Sequence, residues 1–444
     1  MKFFYVLLVT LVFYSCSFDN KTGIWKDDSV TKKKELEKND NFVKINNLLN
    51  KNSFNETINL KKSFIFRLSN KKNNYSWFDP YFNYNNNSEN FLVNSLENEV
   101  FSSRKLSRHK TGKFTFFSDS NFIITDERGN IIIFSKNKNK ILNKFNFYKK
   151  KFKNVKKVLN VIIEQNIIYV SDNLGYLYSY DFKLNKIIWA KNYKIPFRSN
   201  LKLKDNKIFA SNQNNDLIIF NKNSGDIIKQ IPTEPTVLKN KFINNIAHDK
   251  NRTLFFLNSY GSLYALDSKL LSVKWFINLN QSLELNPSNL FMSNQIVLSK
   301  DKVVVSSDFY TYVINSITGD ILFKKNFSTK FRPLINKNYL FLITKNNLLI
   351  SFNLTDGKII YSYNIDDQIS KFLNITKKKV SLKSLLLVNN DLIILLNNSF
   401  LLNFDVRGKL KKINKLKSRI NTEPIFIDKS FLYLDNKNRL TILN

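Results

Sequence analysis

The sequence predicts an all-β fold: an eight-bladed β-propeller of four-stranded antiparallel blades, formed by residues 61–444. Two observations lead to this prediction, the strand-like composition of the chain and a hairpin motif that recurs eight times. Of the 444 residues, 43% are hydrophobic and 14% aromatic, while only 9 are Gly and 7 are Pro. Phe, Ile, Leu and Tyr alternate with Lys, Asn and Ser, which is typical of strands. The scarcity of Gly and Pro excludes long linkers rich in these residues.

The recurring motif is clearest in residues 166–189, NIIYVSDNLGYLYSYDFKLNKIIW. Two apolar runs flank a tight polar turn, and a second turn leads into a run that ends at Trp189. The polar residue that closes the second run recurs at intervals of 38 to 52 residues, as Ser135, Asp181, Asn221, Asp267, Asn315, Asn353, Asp405 and Asn444. A period of about 44 residues built only from strands indicates a propeller with one blade per repeat.

The turn residues agree with this interpretation. The first hairpin of the motif carries a glycine where a tight turn needs a positive φ, at Gly129, Gly175 and Gly261. A second set of glycines precedes the last strand, at Gly225, Gly319 and Gly357. Eight residues after each marker lies an outer-strand position, which holds Trp189, Trp275, Phe323, Tyr361 and Ile413, with Lys229 as an exception. We predict that the aromatic rings at these positions pack between neighbouring blades and bind no ligand.

The eighth repeat ends at its marker, Asn444, so this blade lacks an outermost strand. A propeller closes by pairing its two ends, because an unpaired strand edge invites aggregation. We expect residues 64–68 (FIFRL) to supply the missing strand.

The first 15 residues have the form of a secretory signal peptide, with Lys2 followed by an apolar run over residues 3–14 that is short for a membrane span. This run ends beside Cys16, the only cysteine, which excludes an internal disulfide. The arrangement resembles the lipobox of bacterial lipoproteins, which implies cleavage before Cys16 and its acylation, for instance with palmitate. Ser17 then favours the outer membrane, and residues 16–60 form a flexible tether. An uncleaved N-terminal anchor is the alternative.

The net charge of +35 raises the alternative of a nucleic-acid binder. The lysines are spread evenly through the chain beside many asparagines, whereas a nucleic-acid surface concentrates its basic residues. A/T-rich codon usage accounts for this composition, and a basic surface favours contact with anionic membranes or acidic partners.

Catalytic and metal-binding motifs are missing from the sequence. The two histidines, His109 and His248, lie far apart, and there is no HExxH, CxxC, GxSxG or glycine-rich phosphate loop. We expect His248 to lie at the surface, and we expect the regular Asp and Asn residues of the repeats to satisfy the backbone of their turns. The sequence therefore predicts a protein without enzymatic activity, cofactor or metal.

The motif in residues 169–189 and 257–275 resembles the propeller repeat of pyrroloquinoline-quinone proteins, which two families share. Quinoprotein dehydrogenases are longer and bind the quinone and Ca²⁺ at the propeller axis, many of them with an adjacent cysteine pair. This chain has one cysteine and no evident acidic cluster for Ca²⁺. The second family is BamB, the lipoproteins of outer-membrane β-barrel assembly, and the resemblance to it covers nearly the whole mature chain.

Membership of the BamB family implies a non-catalytic scaffold at the periplasmic face of the outer membrane. It implies binding to the polypeptide-transport domains of BamA and help in assembling unfolded outer-membrane proteins, with the chain as a monomer within a hetero-complex. A quinoprotein-like dehydrogenase and a generic envelope propeller that binds glycan or protein remain as alternatives.

Two inter-blade loops carry the partner contacts that this resemblance implies. Residues 189–200 resemble the family's first contact loop, which suggests Ile195, Phe197 and Arg198 as contacts. Residues 231–235 resemble the second, where Glu234 alone is available for an acidic contact. The Phe-Arg pair recurs at Phe331 and Arg332, so part of the Arg198 pattern reflects arginine binding to loop carbonyls within the repeat.

Overall fold

The computed structural model describes residues 17–18, 25–26, 54–148, 150–235, 243–280, 290–376 and 378–444. The chain divides into two compact units, Met1–Phe54 and Asn55–Asn444. In the first unit, strand β1 (Ser17–Phe18) pairs antiparallel with β2 (Trp25–Lys26). The predicted signal peptide and Cys16 lie outside the described residues, as does most of the predicted tether.

The second unit is an eight-bladed β-propeller of four-stranded antiparallel blades, which confirms the predicted fold. We number the blades 1 to 8 from residue 111 onward, and within a blade the strands run from the innermost to the outermost. Blade 1 contains β5 (Thr111–Ser118), β6 (Asn121–Asp126), β7 (Asn130–Ser135) and β8 (Lys140–Asn146), and blade 2 contains β9 (Leu159–Glu164), β10 (Ile167–Asp172), β11 (Tyr176–Asp181) and β12 (Lys186–Asn192). Blade 3 contains β13 (Lys202–Lys204), β14 (Lys207–Ser211), β15 (Leu217–Asn221) and β16 (Ile227–Ile231), and blade 4 contains β17 (Asn245–His248), β18 (Thr253–Leu257), β19 (Ser262–Asp267) and β20 (Val273–Asn278).

Blades 5 to 8 follow the same order, and two strands from before residue 111 join the last two blades. Blade 5 contains β21 (Val297–Ser299), β22 (Lys302–Ser306), β23 (Thr311–Asn315) and β24 (Ile321–Lys325), and blade 6 contains β25 (Leu334–Asn336), β26 (Tyr339–Ile343), β27 (Leu348–Asn353) and β28 (Ile359–Asn364). Blade 7 contains β29 (Leu382–Val388), β30 (Asp391–Leu396), β31 (Phe400–Asp405) and β32 (Leu410–Lys415), and β3 (Asn90–Phe91) joins it. Blade 8 contains β33 (Ile425–Ile427), β34 (Ser430–Leu434) and β35 (Leu440–Leu443), and β4 (Glu99–Ser102) joins it. A 3-10 turn (Lys150–Phe152) and helix α1 (Ile365–Leu373) lie in connections, and no described helix is long and apolar enough to cross a membrane.

The sequence of each strand reflects its depth in the blade. The second and third strands are covered by neighbouring blades on both faces, so they consist of continuous apolar runs; in β18 all five residues, TLFFL, are buried. The outer strands have one solvated face, and β12 (KIIWAKN) alternates accordingly between exposed and half-buried residues. The markers from Ser135 to Asp405 each end the third strand of a blade. The turn glycines adopt the predicted positive φ, which is 86° at Gly175.

The rings in the outer strands pack on the next blade, as the sequence predicts. The Trp189 ring lies against Gly225, where an added Cβ would come within 2.6 Å of it, and its Nε1 donates to the carbonyl of Lys222 at 3.0 Å. Trp275 lies in the same way against Gly319. These glycines therefore have two reasons to lack a side chain: their positive φ and the ring that covers them.

The exceptional Lys229 follows the same geometry. The corresponding turn of blade 4 carries Leu271 in place of glycine, with φ 57° and a buried side chain. Lys229 has no ring to place over this leucine, and its Nζ donates to the carbonyl of Leu271 at 2.8 Å. The lysine and the leucine are thus a matched pair that replaces the ring and the glycine.

The ring of blades is closed by β4, and the prediction that residues 64–68 supply this strand is wrong. β4 pairs antiparallel with β35, and Phe101 lies opposite Ile442. Residues 64–68 instead pack against blades 6 and 7, where the ring of Phe66 lies 4.9 Å from that of Tyr339. Arg407 donates to the carbonyl of Phe64 at 2.8 Å. The alternating apolar residues of FIFRL resemble a strand, but their side chains fill the space between two blades.

Residues 72–94, which we call the axial strap, form the second closure of the ring. The strap lies along the ends of the innermost strands and contacts every blade in turn. Nine residues of the strap form hydrogen bonds to the blades in order around the ring. These are Asn74 to blade 8, Trp77 to blade 1, Phe78 to blade 2, Asp79 to blade 3, Tyr84 to blade 4, Asn85 to blade 5, Asn87 to blade 6, Asn90 to blade 7 and Asn94 to blade 8 again. One full turn of chain therefore ties all eight blades together around the axis.

Asparagine side chains suit this role because one amide group both donates and accepts. Asn87 donates to the carbonyl of Ile335 at 2.8 Å and accepts from its backbone N–H at 3.0 Å, as the backbone of a pairing strand would. Asn86 reaches the carbonyls of Ile246 and Ile296 in two different blades.

The strap also contributes a buried ion pair. The ammonium group of Lys202, fully buried, lies 2.5 Å from the Asp79 carboxylate and also donates to the carbonyl of Asn83. Burial lowers the pKa of Lys202, and the charge of Asp79 opposes that shift. The pair fixes the strap to blade 3.

The expectation that His248 lies at the surface is wrong. His248 ends β17, is 8% exposed and stacks on Tyr84 of the strap, with ring centroids 5.0 Å apart. Burial lowers the pKa of His248 to about 4, so the ring is neutral at pH 7. Its polar sequence neighbours, Asp249 and Lys250, suggested a loop, but the strap covers this strand end.

We predict that Lys229→Trp destabilises the propeller by about 1–3 kcal/mol, because the ring would overlap the side chain of Leu271. Leu271→Gly alone also destabilises, since it removes a buried side chain. The double variant should be more stable than the sum of the two effects by ~1 kcal/mol or more. Urea denaturation of the four proteins measures this coupling, and strict additivity would contradict the matched-pair interpretation.

We also predict that Asp79→Asn lowers the free energy of unfolding by about 3 kcal/mol or more, since it leaves the Lys202 charge buried without its partner. Asp119→Asn is the matched control, because Asp119 pairs with Lys183 at 3.0 Å where both side chains are about half exposed. The control should change stability by less than about 1 kcal/mol. Equal urea midpoints for the two variants would show that the buried pair does not anchor the strap.

Candidate functional site

The two faces of the propeller differ in what they present. Because the strands of a blade alternate in direction, the hairpins between first and second strands share one face with the axial strap. The opposite face carries the hairpins between second and third strands and the connections from one blade to the next. We call it the loop face. Of the sequence-predicted contact loops, residues 189–200 and 231–235, the parts that follow strands β12 and β16, residues 193–200 and 232–235, lie on it.

Residues 193–200 are held against blade 2 by backbone bonds. Tyr193 donates from its backbone N–H to the carbonyl of Gly175 at 2.8 Å, and Phe197 donates to that of Asp172 at 3.0 Å. Gly175 lies so close to this loop that an added Cβ would be 3.0 Å from the backbone of Ile195. The hairpin of blade 2 is therefore in direct contact with the loop at Ile195, and the side chain of Ile195 is half-buried.

Phe197 points inward. It is 3% exposed and belongs to the core between blades 2 and 3, where its ring lies 6.0 Å from that of Phe220. Its backbone also bridges to Asn212. The side chain thus anchors the loop from below, a role that the sequence pattern does not distinguish from an outward contact.

Arg198 is half-buried, and its backbone joins blades 3 and 4. Its N–H donates to the carbonyl of Ser211, and its own carbonyl accepts from Asn244, both at 2.8 Å. Burial lowers the pKa of the guanidinium group. The backbone on both sides of Arg198 is therefore fixed.

The related Arg332 shows what the Phe-Arg pattern does elsewhere in the ring. Its guanidinium donates to the carbonyls of Tyr81 and Asn86 in the strap, at 3.2 and 2.8 Å, and lies 5.2 Å from the centre of the Tyr81 ring. At this position the arginine binds loop carbonyls, as the repeat of the pattern suggested.

Glu234 is tied to blade 4. Its carboxylate accepts from Asn258 and Ser262 at 2.6 Å each and from the hydroxyl of Tyr264 at 3.1 Å. Its carbonyl accepts from Asn215 at 3.0 Å. Glu234 therefore fastens residues 232–235 to the hairpin between β18 and β19 of blade 4.

The propeller axis between the strap and the loop face contains two adjoining compartments, of about 390 and 200 Å³, which we call the axial cavity. Both compartments share Pro80, Tyr81, Lys113 and Phe114 in their walls. Pro80 and Tyr81 of the strap line both compartments on one side, and residues of loop-face connections, such as Lys157 and Ile243, line the larger one. In the part of the chain that the structure describes, no three His, Cys, Asp or Glu side chains lie close enough together to hold a metal ion.

The family assignment follows from the sequence of the blades themselves. The sequence model of the family described as outer membrane protein assembly factor BamB matches residues 127–363, more than half of the chain. The chain belongs to the BamB family. No curated protein sequence gives a significant match to it.

Solved structures show how widely this fold is shared. BamB from Moraxella catarrhalis is 13% identical with a TM-score of 0.60, and the match covers 78% of this chain and 98% of that one. The computationally designed Ika8 protein is 10% identical, with a TM-score of 0.58 and the same coverage. Quinohemoprotein alcohol dehydrogenase from Comamonas testosteroni is 9% identical, with a TM-score of 0.60 over 80% of this chain and 76% of the enzyme. At these identities the likeness concerns the fold alone.

The BamB match extends from blade 1 to blade 6 and includes both predicted contact loops. The axial strap and blades 7 and 8 lie outside the matched residues. The strap was missed in the sequence because it has no repeat period. The signal that marks it is a run rich in asparagine and aromatic residues directly before the first repeat.

We predict that Glu234→Ala lowers the free energy of unfolding by roughly 1–3 kcal/mol, because three donors of blade 4 lose their acceptor. Cleavage within residues 232–235 by a low concentration of protease should also become faster. Glu97→Ala, which removes an exposed ion pair with Lys412, is the control and should change little. If the two variants behave alike, Glu234 does not fasten the connection.

Proposed function

We propose that this protein is a non-catalytic scaffold of outer-membrane protein assembly that binds the polypeptide-transport domains of BamA through its loop face. The observation that supports this proposal is the match of residues 127–363 to the BamB family. The protein would help to position unfolded outer-membrane proteins during insertion and would be a monomer within the hetero-complex. Neither a cofactor nor nucleic acid takes part in this role.

Cys16 provides the membrane attachment in this proposal. Residues 1–15 are a signal peptide, Cys16 is acylated, and residues 16–60 are a tether that connects the lipid to the propeller. Ser17 directs the mature protein to the outer membrane. The propeller, residues 61–444, then lies at its periplasmic face.

The geometry of residues 193–200 favours this loop as the contact. Affinity depends on a few side chains presented on a rigid base, since ordering a loose loop costs free energy on binding. Buried Phe197 and the bridges to Asn212 and Asn244 provide that base. Ile195 and Arg198 are the two side chains proposed to touch BamA, while Phe197 and Glu234 contribute by holding the loops.

We predict that Arg198→Glu weakens BamA binding by at least tenfold, because an interface arginine is replaced by a group of opposite charge. BamA should co-purify with the unmodified protein from detergent-solubilised envelopes and be strongly depleted with the variant. Arg252→Glu is the control. Arg252 is 54% exposed and lies in a hairpin of the opposite face, so its replacement should leave BamA recovery unchanged.

Two outcomes would contradict the proposal. Absence of BamA from preparations of the unmodified protein would reject the assembly role and leave an envelope propeller with another partner. Equal loss of BamA in both arginine variants would indicate a general charge effect and reject the loop face as the contact.

A further inference from the structure

The smaller compartment of the axial cavity has an excess of positive charge. Among its lining side chains, Lys113, Lys330, Arg332 and Lys383 are basic and only Glu423 is acidic. The Glu423 carboxylate lies 3.3 Å from Lys113. Within the described residues, neither Arg332 nor Lys383 forms an ion pair with a carboxylate.

The partners of these two cations are neutral oxygens. Lys383 donates to the carbonyls of Ile420 and Asn421, at 2.7 and 3.0 Å, and Arg332 donates to two carbonyls of the strap. Burial lowers the pKa of Lys383 to about 8, which indicates that its charge is only partly compensated. An anion in the compartment would supply that compensation.

Ser384 supplies an independent observation. Its side chain lines the same compartment and is 7% exposed, and its hydroxyl has no hydrogen-bond partner among the described residues. Buried hydroxyl groups are normally paired, because an unpaired one costs free energy. A hydroxyl that lines the same compartment as two incompletely compensated cations is suited to donate to an anionic oxygen.

The larger compartment differs in character. Its lining is mainly apolar, with Phe114, Phe116, Leu159 and Val161, and also includes charged side chains such as Asp126 and Lys157, while Tyr81 lines both compartments. Its volume of about 390 Å³ lies at the lower end of the range for small-molecule sites. The two compartments together fit a ligand with one charged end and one apolar end.

We propose that the axial cavity binds a small amphiphilic anion. Its carboxylate or phosphate group lies beside Arg332, Lys383 and Ser384, and its apolar or aromatic body lies in the larger compartment. The ligand enters from the loop face, because the strap closes the other end of the axis. This site uses different side chains from the proposed BamA contact and does not depend on it.

The test is equilibrium dialysis of the purified full chain, with the same non-ionic detergent on both sides of the membrane. The probes are 2-naphthoate, 2-naphthyl phosphate and the neutral 2-naphthamide. At least one anionic probe should bind saturably to a single site, and the preferred one identifies a carboxylate or a phosphate ligand. The amide should bind at least tenfold more weakly. The proposal would be overturned if neither anion bound saturably, or if the amide bound with the same affinity as the anions.

Variants locate the probe in the cavity. Lys383→Gln and Ser384→Ala should each weaken binding of the anion several-fold or more. Ser351→Ala is the matched control, because it removes another buried, unpartnered hydroxyl that does not line the cavity. It should bind like the unmodified chain and unfold at a similar temperature to Ser384→Ala. Unchanged affinity in both cavity variants would place the probe elsewhere and overturn the proposal.

The pH dependence gives a second readout. Lys383 loses its charge as the pH rises through about 8, so affinity for the anion should fall between pH 7 and pH 9. The charged groups that act on Lys383 are Glu423, which favours its charged form, and Lys113 and Arg419, which oppose it. Lys383→Gln should remove most of this pH dependence, and an identical profile in that variant would overturn the role of Lys383.

Discussion

Closure of the ring is the constraint on which the rest of this propeller depends. The last blade has only three strands of its own, so an open ring would expose the edge of β35 and the flank of blade 1. The segment before residue 111 prevents this twice: β4 pairs with β35, and the axial strap bonds the innermost strands of all eight blades in order. The first closure adds one strand to one sheet, whereas the second distributes its bonds around the axis. The ion pair between Asp79 and Lys202 belongs to that second closure and is buried.

Packing between the outer strand of one blade and a turn of the next recurs along the ring, and it permits substitutions that occur in pairs. A ring in the outer strand of one blade requires a glycine in the next, as at Trp189 and Gly225. Where the turn carries Leu271, the facing residue is Lys229, whose flexible chain reaches a carbonyl without covering the leucine. The constraint therefore applies to the pair of positions and to neither residue alone. This explains why the two departures from the motif occur together, one in blade 3 and one in blade 4, at sites that lie 42 residues apart in the sequence.

The features that the sequence predicted well are those that repeat. The number of blades, the marker positions, the turn glycines and the packing role of Trp189 follow from a period that eight copies reinforce. The features that it missed occur once. The apolar alternation of residues 64–68 satisfied the local criterion for an edge strand, but their side chains fill the space between blades 6 and 7. Similarly, the sequence predicted Phe197 as a loop contact, and only the three-dimensional packing places it in the core.

The strap also determines what the two faces of the propeller can do. It covers the inner strand ends on one face, and its Asn and backbone groups satisfy the polar atoms that a partner would otherwise bind there. On the loop face, Phe197 fixes residues 193–200 from within and Glu234 fixes residues 232–235. The proposed BamA contact and the proposed anion site therefore both lie toward the loop face. Under the two proposals, a ligand on the axis and a protein on the loops would lie near the same inter-blade connections, and any effect of one on the affinity of the other would be reciprocal.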